Sequence, residues 1–219
     1  MNKRAKDNTN LKLTYESTFK GKDIYQSSDG LVINYLESID TVFTNAFNDY
    51  GRLIVVRIDL RYPNRPDVFH QEGDIGDFFK KLDYQFKVER TRRMKSYGRG
   101  HSCVLRGFWC IEQDSSSNPH YHVVLVLHEA FFGCLGQFKG NTRSLSHFIR
   151  LAWARVLGVS LSELGGVVEF PDNGTYRIKR SDSHDCPVFQ AMYYRVSYLA
   201  KLKTKHYGDY KKSFGASRK

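Results

Sequence analysis

The segment His120–Leu127, HYHVVLVL, limits the possible folds more than any other part of the chain. Its apolar, β-branched run reads as a strand. Arg106–Gln113, RGFWCIEQ, reads as a second strand, and only the polar residues 114–119 (DSSSNP) separate the two. A link that short and turn-rich favours an antiparallel hairpin, because a parallel return needs a long crossover.

Such a hairpin must be covered by other elements. From Gly30 onward, Leu31, Ile33, Tyr35, Leu36, Ile39, Val42, Phe43, Ala46 and Phe47 recur mostly at three- and four-residue steps, which predicts an amphipathic helix over about 30–50. Arg52–Leu60, RLIVVRIDL, reads as a buried strand, and the two prolines of 62–73 mark a loop. Asp74–Tyr97 predicts a second helix that ends in a strongly basic stretch, and Ser144–Leu157 a third. Gly166–Lys179 reads as a hairpin turning at Pro171–Gly174, and Pro187 opens a helix reaching about Lys203. Helices alternating with antiparallel strand pairs indicate the α+β class, with one central antiparallel sheet and flanking helices. The expected organisation is a polar N-terminal arm over 1–29, one domain over 30–205 to which the helix at 30–50 is an add-on, and a basic C-terminal tail over 206–219.

Composition narrows the function. Lys and Arg number 34 against 23 Asp and Glu, a net charge of +11 on 219 residues. That surplus attracts phosphate or an anionic membrane. No stretch approaches the ~20 apolar residues of a membrane span, and the start, MNKRAKDNTNLKL, lacks the apolar run of a signal peptide. Nucleic acid is therefore the favoured partner, with no membrane partner and a soluble protein in the cytoplasm expected. Cys103, Cys110, Cys134 and Cys186 form no CxxC pair and fit no zinc module, so reduced thiols are expected. No GxxxxGK[ST] occurs, so no nucleotide-driven helicase is expected within the chain.

Two constellations carry chemistry. Alternate residues of a strand share a face, so His120 and His122 project together, close enough to hold one cation. Glu112, near the end of the preceding strand, can lie opposite them in an antiparallel pair. Two imidazoles and a carboxylate leave coordination positions open for a phosphate oxygen and water, as phosphoryl transfer requires. A His-x-His pair is also a common pattern on a solvated strand face, and more often so when it stands alone; the neighbouring Glu112 brings the metal reading level with it. The second constellation is Tyr194-Arg-Val-Ser-Tyr198-Leu-Ala-Lys201 on the last predicted helix. Four residues advance a helix by about 400°, so both phenols point roughly the same way, with Lys201 near that face. Tyrosines at this spacing are more often core packing, the reading that suits Tyr193. A phenolate that attacks phosphorus, however, conserves the phosphodiester energy in a reversible link, and a nearby ammonium stabilises the developing charge. The densest basic run, Arg90, Arg92, Arg93, Lys95 and Arg99, is the candidate for phosphate contacts, with a solvated helix end the close alternative.

With these motifs together, the sequence resembles the HUH superfamily of rolling-circle replication initiators, relaxases and transposases. Its signature, His-hydrophobic-His, is His120-Tyr121-His122 here, and the two-tyrosine form Tyr-x-x-x-Tyr-x-x-Lys is Tyr194 to Lys201. The wording around the motifs, FWCIEQ…PHYHVVLVL and YRVSYLAK, looks most like the inovirus-type replication proteins of phages and prophages. The resemblance covers about Arg52 to Lys203. It implies the HUH endonuclease fold, a ferredoxin- or RRM-like variant, with the histidine pair on a middle strand. It also implies a third ligand from the adjacent strand, which Glu112 matches, and a first motif strand that RLIVVRIDL matches loosely. The implied activity is metal-dependent nicking and joining of single-stranded DNA, or of a DNA hairpin at an origin, through a 5′-phosphotyrosyl intermediate. Mg²⁺ or Mn²⁺ is the implied cofactor and a host helicase a further partner. Tyr198, which carries the Tyr-x-x-Lys context, is expected to attack first. Alternative readings are a non-catalytic DNA-binding regulator that keeps the fold, and a metal-independent RNA-binding module.

Overall fold

A computed structural model describes residues 3–6, 8–113, 119–136, 143–182, 186–202 and 212–218. In chain order the elements begin with five short strands: β1 (Lys3–Arg4), β2 (Lys12–Thr14), β3 (Thr18–Phe19), β4 (Lys22–Asp23) and β5 (Leu31–Val32). Next come α1 (Ile33–Asp49), β6 (Arg52–Leu60), α2 (Asp74–Tyr97), β7 (Arg106–Glu112), β8 (His120–His128) and α3 (Leu145–Leu157). The chain then forms β9 (Val168–Glu169), β10 (Thr175–Lys179), α4 (Pro187–Ser197), a 3-10 turn (Tyr198–Ala200) and β11 (Phe214–Ala216). The protein is α+β: a central antiparallel sheet in the order β10-β6-β8-β7-β11, with helices on both faces.

The apolar run of β8 follows from its central place. Its odd-numbered side chains, Tyr121, Val123, Leu125 and Leu127, pack under α2 and α3 with Ile75, Phe78, Phe148 and Trp153. Its even-numbered Val124 and Val126 pack under α1 and α4 with Ile39, Phe43, Met192 and Tyr193. A strand covered on both faces needs no polar alternation. Trp153 is fully buried in the first layer, and its indole N–H donates to the Arg61 carbonyl at 2.8 Å. Trp153→Ala removes the largest buried side chain and leaves that carbonyl without its donor. It should cost about 3–5 kcal/mol, read as a lower denaturant midpoint at an unchanged slope.

Three expectations need correction. Residues 1–29 are polar in composition, but from Lys3 on the described part is not a free arm. Strands β1, β2 and β5 form a small antiparallel sheet over Ala5, Leu11, Leu13 and Val32, and Ile24 is buried against α4. Apolar residues there are sparse and show no helical period, which hid this packing. Second, 166–179 is not a hairpin. Strands β9 and β10 both run antiparallel along the same edge of β6, β9 at Asp59–Leu60 and β10 at Arg52–Val56. Pro171–Gly174 closes a local turn (Gly174 N–H to Pro171 O, 3.0 Å) that bulges out and returns to the same edge. Third, the last helix ends at Ser197, tightens into the 3-10 turn, and leaves Lys201 extended and bridged to Leu31. In the basic tail, 203–211 lie outside the described residues, but Phe214–Ala216 add a strand beside β7.

Candidate active site

The register of the sheet builds the site. In the β7–β8 pair Glu112 lies opposite His120 and Cys110 opposite His122, while in the β6–β8 pair Asp59 lies opposite His122. All of these side chains point to the α1/α4 face and are buried, Cys110 within the apolar layer there and the others beside it at the end of β8. His120 Nε2 lies 3.2 Å from His122 Nε2, and Glu112 Oε2 lies 3.3 Å from the same His122 atom. One ligand atom from each residue falls within 4.8 Å of the others, and all three side chains are buried. Among the described residues this is the single His/Cys/Asp/Glu group of that kind.

The donor set suits a divalent cation that tolerates nitrogen. Two neutral imidazoles with one carboxylate fit Mn²⁺ somewhat better than Mg²⁺, whose shell favours oxygen throughout. Asp59 completes the design. Its Oδ1 accepts from His122 Nδ1 at 2.6 Å, which fixes the tautomer and turns Nε2 toward Glu112 and His120. Carboxylate partners of this kind orient ligand histidines and raise their basicity.

Charge is unevenly shared. Burial disfavours the charged form of His122, but hydrogen bonds and charges from Asp59 and Glu112 outweigh it and raise its pKa. His120 is shifted the other way, by burial and by the charge of His122, which favours its neutral form. Burial also opposes ionisation of Glu112, yet His122 and the Lys201 ammonium hold its carboxyl down at about 2. A proton on His122 Nε2 would occupy the place where a cation would bind.

The tyrosine element adjoins this cluster. The Tyr198 hydroxyl lies 3.4 Å from Glu112 Oε2 and receives a short contact from the Lys201 ammonium, which is itself 3.3 Å from Glu112 Oε2. The Tyr198 ring meets His122 edge-on at 5.8 Å, and the Arg57 guanidinium lies 5.3 Å from its centre. Burial raises the Tyr198 pKa against the opposing effect of Lys201, so the resting phenol keeps its proton. The arrangement can hold a metal, seat an anion between Arg57 and Lys201, and present one phenol to it.

Five sequence candidates thus meet: Glu112, His120, His122, Tyr198 and Lys201. Tyr194 stands apart at the rim, 42% exposed, with its ring 5.9 Å from Tyr25. The basic run does not reach the site. It ends α2 on the opposite face of the sheet, where Arg93 donates to Phe131 O just beyond the far end of β8. His120 lies at the other end of that strand, roughly 25 Å away at ~3.3 Å per residue. Arg92 and Arg93 are committed to the buried Glu89, while Arg90, Lys95 and Arg99 are exposed. The expected basic surface is therefore remote, and among the described residues Arg57 and Lys201 are the cations that meet Tyr198, with the charge of Arg61 also felt at His120. Asp59, Arg57 and Tyr25 were missed. The signal for the first two was present in RLIVVRIDL, where an acid and an arginine two apart interrupt a buried strand.

Comparison with known proteins adds a family. The model for the YagK/YfjJ C-terminal domain matches residues 14–217. The chain belongs to that family. It is 28% identical over 202 residues to the uncharacterized protein YagK of Escherichia coli K12, covering 88% of this chain and 97% of YagK. To the uncharacterized protein YfjJ of the same strain it is 28% identical over 206 residues, covering 89% and 99%. No solved structure gives a significant match. The YagK/YfjJ match starts at residue 14, so it takes in β3, β4 and Tyr25 as well as Glu112, His120, His122 and the Tyr194–Lys201 segment. Among the described residues no helix is long and apolar enough to cross a membrane.

Proposed function

We propose that this protein is a metal-dependent endonuclease and strand transferase of the HUH type, acting on single-stranded DNA with Tyr198 as nucleophile. The observation that carries the reading is the meeting of Tyr198, Lys201 and Glu112, which joins the tyrosine element to the two histidines. Neither motif alone argues for this chemistry; a phenol beside a buried His-His-Glu group does.

His120, His122 and Glu112 would hold Mn²⁺ or Mg²⁺, which when bound would polarise a non-bridging oxygen of the scissile phosphate. Arg57 and Lys201 bind that phosphate and offset its charge. The Tyr198 oxygen attacks phosphorus, its proton passing to water as Lys201 stabilises the phenolate. A phosphorus–tyrosyl oxygen bond forms, the bond to the 3′ oxygen breaks, and that oxygen leaves as a hydroxyl after taking a proton. The 5′-phosphotyrosyl link is open to reversal by another 3′ hydroxyl. Initiation of rolling-circle replication of a phage or mobile element is the role this activity would serve.

A single-stranded origin-like or hairpin oligonucleotide tests the reading. With Mn²⁺ a denaturant-resistant protein–DNA adduct should form, and with a chelator none. DNA binding that ignores chelators and never yields an adduct would instead identify a non-catalytic regulator.

A further inference from the structure

We propose that Tyr25 is a positioning residue that seats Tyr198 beside the metal cluster and holds Tyr194 away from it, so that the two tyrosines act in a fixed order. The inference rests on the nicking reading above.

The segment 18–26 lies along α4 and is fastened to it at successive points. Gln190 Nε2 donates to Gly21 O at 3.3 Å, and the Asp23 amide donates to Gln190 Oε1 at 2.7 Å. Lys22, 7% exposed, pairs with Asp40 at 3.2 Å, and Asp40 accepts from the Tyr193 hydroxyl at 2.6 Å. The Tyr25 amide donates to Ser197 Oγ at 2.8 Å, and Ser197 Oγ donates to Tyr194 O at 2.8 Å. Ser197 is fully buried and is the last residue of α4. Tyr25 is thus anchored where the α-helix gives way to the 3-10 turn, between the two tyrosines in sequence.

Its ring contacts both of them. It meets the Tyr198 ring edge-on at 5.0 Å and the Tyr194 ring at 5.9 Å. The Tyr198 ring meets Tyr25, His122 and Arg57, whereas Tyr194 meets Tyr25 and is 42% exposed. Two phenols four residues apart on a continuous helix would both be free to swing toward one site. Here the Tyr25 ring contacts both tyrosine rings, and in the proposed ordering it is what stands against such a swing by Tyr194. Aromatic rings in edge-on contact fix one another's orientation as well as filling volume. Tyr198 therefore makes the first transfer, and Tyr194 gains access when the Tyr25 ring moves.

The test measures which tyrosine carries the DNA. Adducts formed on a single-stranded oligonucleotide with Mn²⁺ are digested and mapped by mass spectrometry in the full chain. Wild type should carry the link on Tyr198. Tyr25→Ala should raise the Tyr194 to Tyr198 ratio at least tenfold, and Ser197→Ala, which frees the anchor, should raise it less. Tyr25→Phe keeps the ring and should keep the wild-type ratio. A general loss of packing lowers both adducts together and leaves the ratio unchanged. An unchanged ratio in both Tyr25→Ala and Ser197→Ala overturns the positioning role. Absence of any adduct in wild type overturns the nicking reading and the ordering with it, an outcome distinct from adducts that form without a shift.

Discussion

Tyr198→Phe is expected to lower the yield of covalent protein–DNA adduct by on the order of 10³-fold or more, as loss of a catalytic nucleophile does, while Tyr194→Phe leaves the first adduct nearly intact. The difference follows from position rather than residue type. Tyr198 contacts Lys201, Glu112 and the ring of His122, and Tyr194 contacts none of these in the described structure. Removing the Tyr198 hydroxyl leaves the ring and its packing against Tyr25 in place, so the fold should be unchanged. Single-turnover adduct formation read on a denaturing gel, beside equilibrium DNA binding, separates the two effects. Tyr198→Phe should bind DNA as wild type does and fail to link to it. An equal loss in both single variants would mean that the tyrosines share the first step.

The same geometry explains what could be read from the sequence and what could not. Strand periodicity places His120 and His122 on one face with no knowledge of the fold, and a short link places Glu112 opposite. Both arise from local backbone geometry, and the structure shows both. Asp59 is 63 residues from His122 in sequence, and its role depends on β6 pairing with β8 in one register. Periodicity within a strand carries no information about which distant strand lies beside it. Tyr25 is further still, 172 residues from the Ser197 hydroxyl that anchors it, in a segment whose polar composition suggested a loose arm. The PDNG turn misled for a related reason: turn chemistry specifies a local reversal, and here two β-segments resume pairing with the same edge after a bulge. The basic end of α2 shows the limit of composition. The count of cations was right, but Glu89 takes Arg92 and Arg93, and the helix lies on the far face.

Mn²⁺ should raise the melting temperature of the protein by several degrees, and this shift should vanish in His122→Ala. At a free concentration about 100 times Kd, a ligand that binds only the folded state adds about 2.7 kcal/mol, and each kcal/mol is worth about 2–4 °C in a domain of this size. Asp59→Asn keeps all three ligands but removes the carboxylate that orients His122, so affinity should fall about 10–100-fold. The pH dependence separates orientation from charge. The His122 pKa is raised because Asp59 and Glu112 favour its charged form more than burial disfavours it. A cation must displace the Nε2 proton, so binding strengthens as pH rises through that raised pKa and weakens as pH falls below it. In Asp59→Asn one of the two carboxylates is gone, and burial counts for more. The His122 pKa then drops, and the pH midpoint of metal uptake moves down even though binding at high pH is weaker. Mn²⁺ titrations of both proteins across pH measure the two effects independently. A variant with unchanged affinity and midpoint would remove Asp59 from the site, whereas a lowered midpoint with weakened binding is the signature of a carboxylate that both aims and charges its histidine.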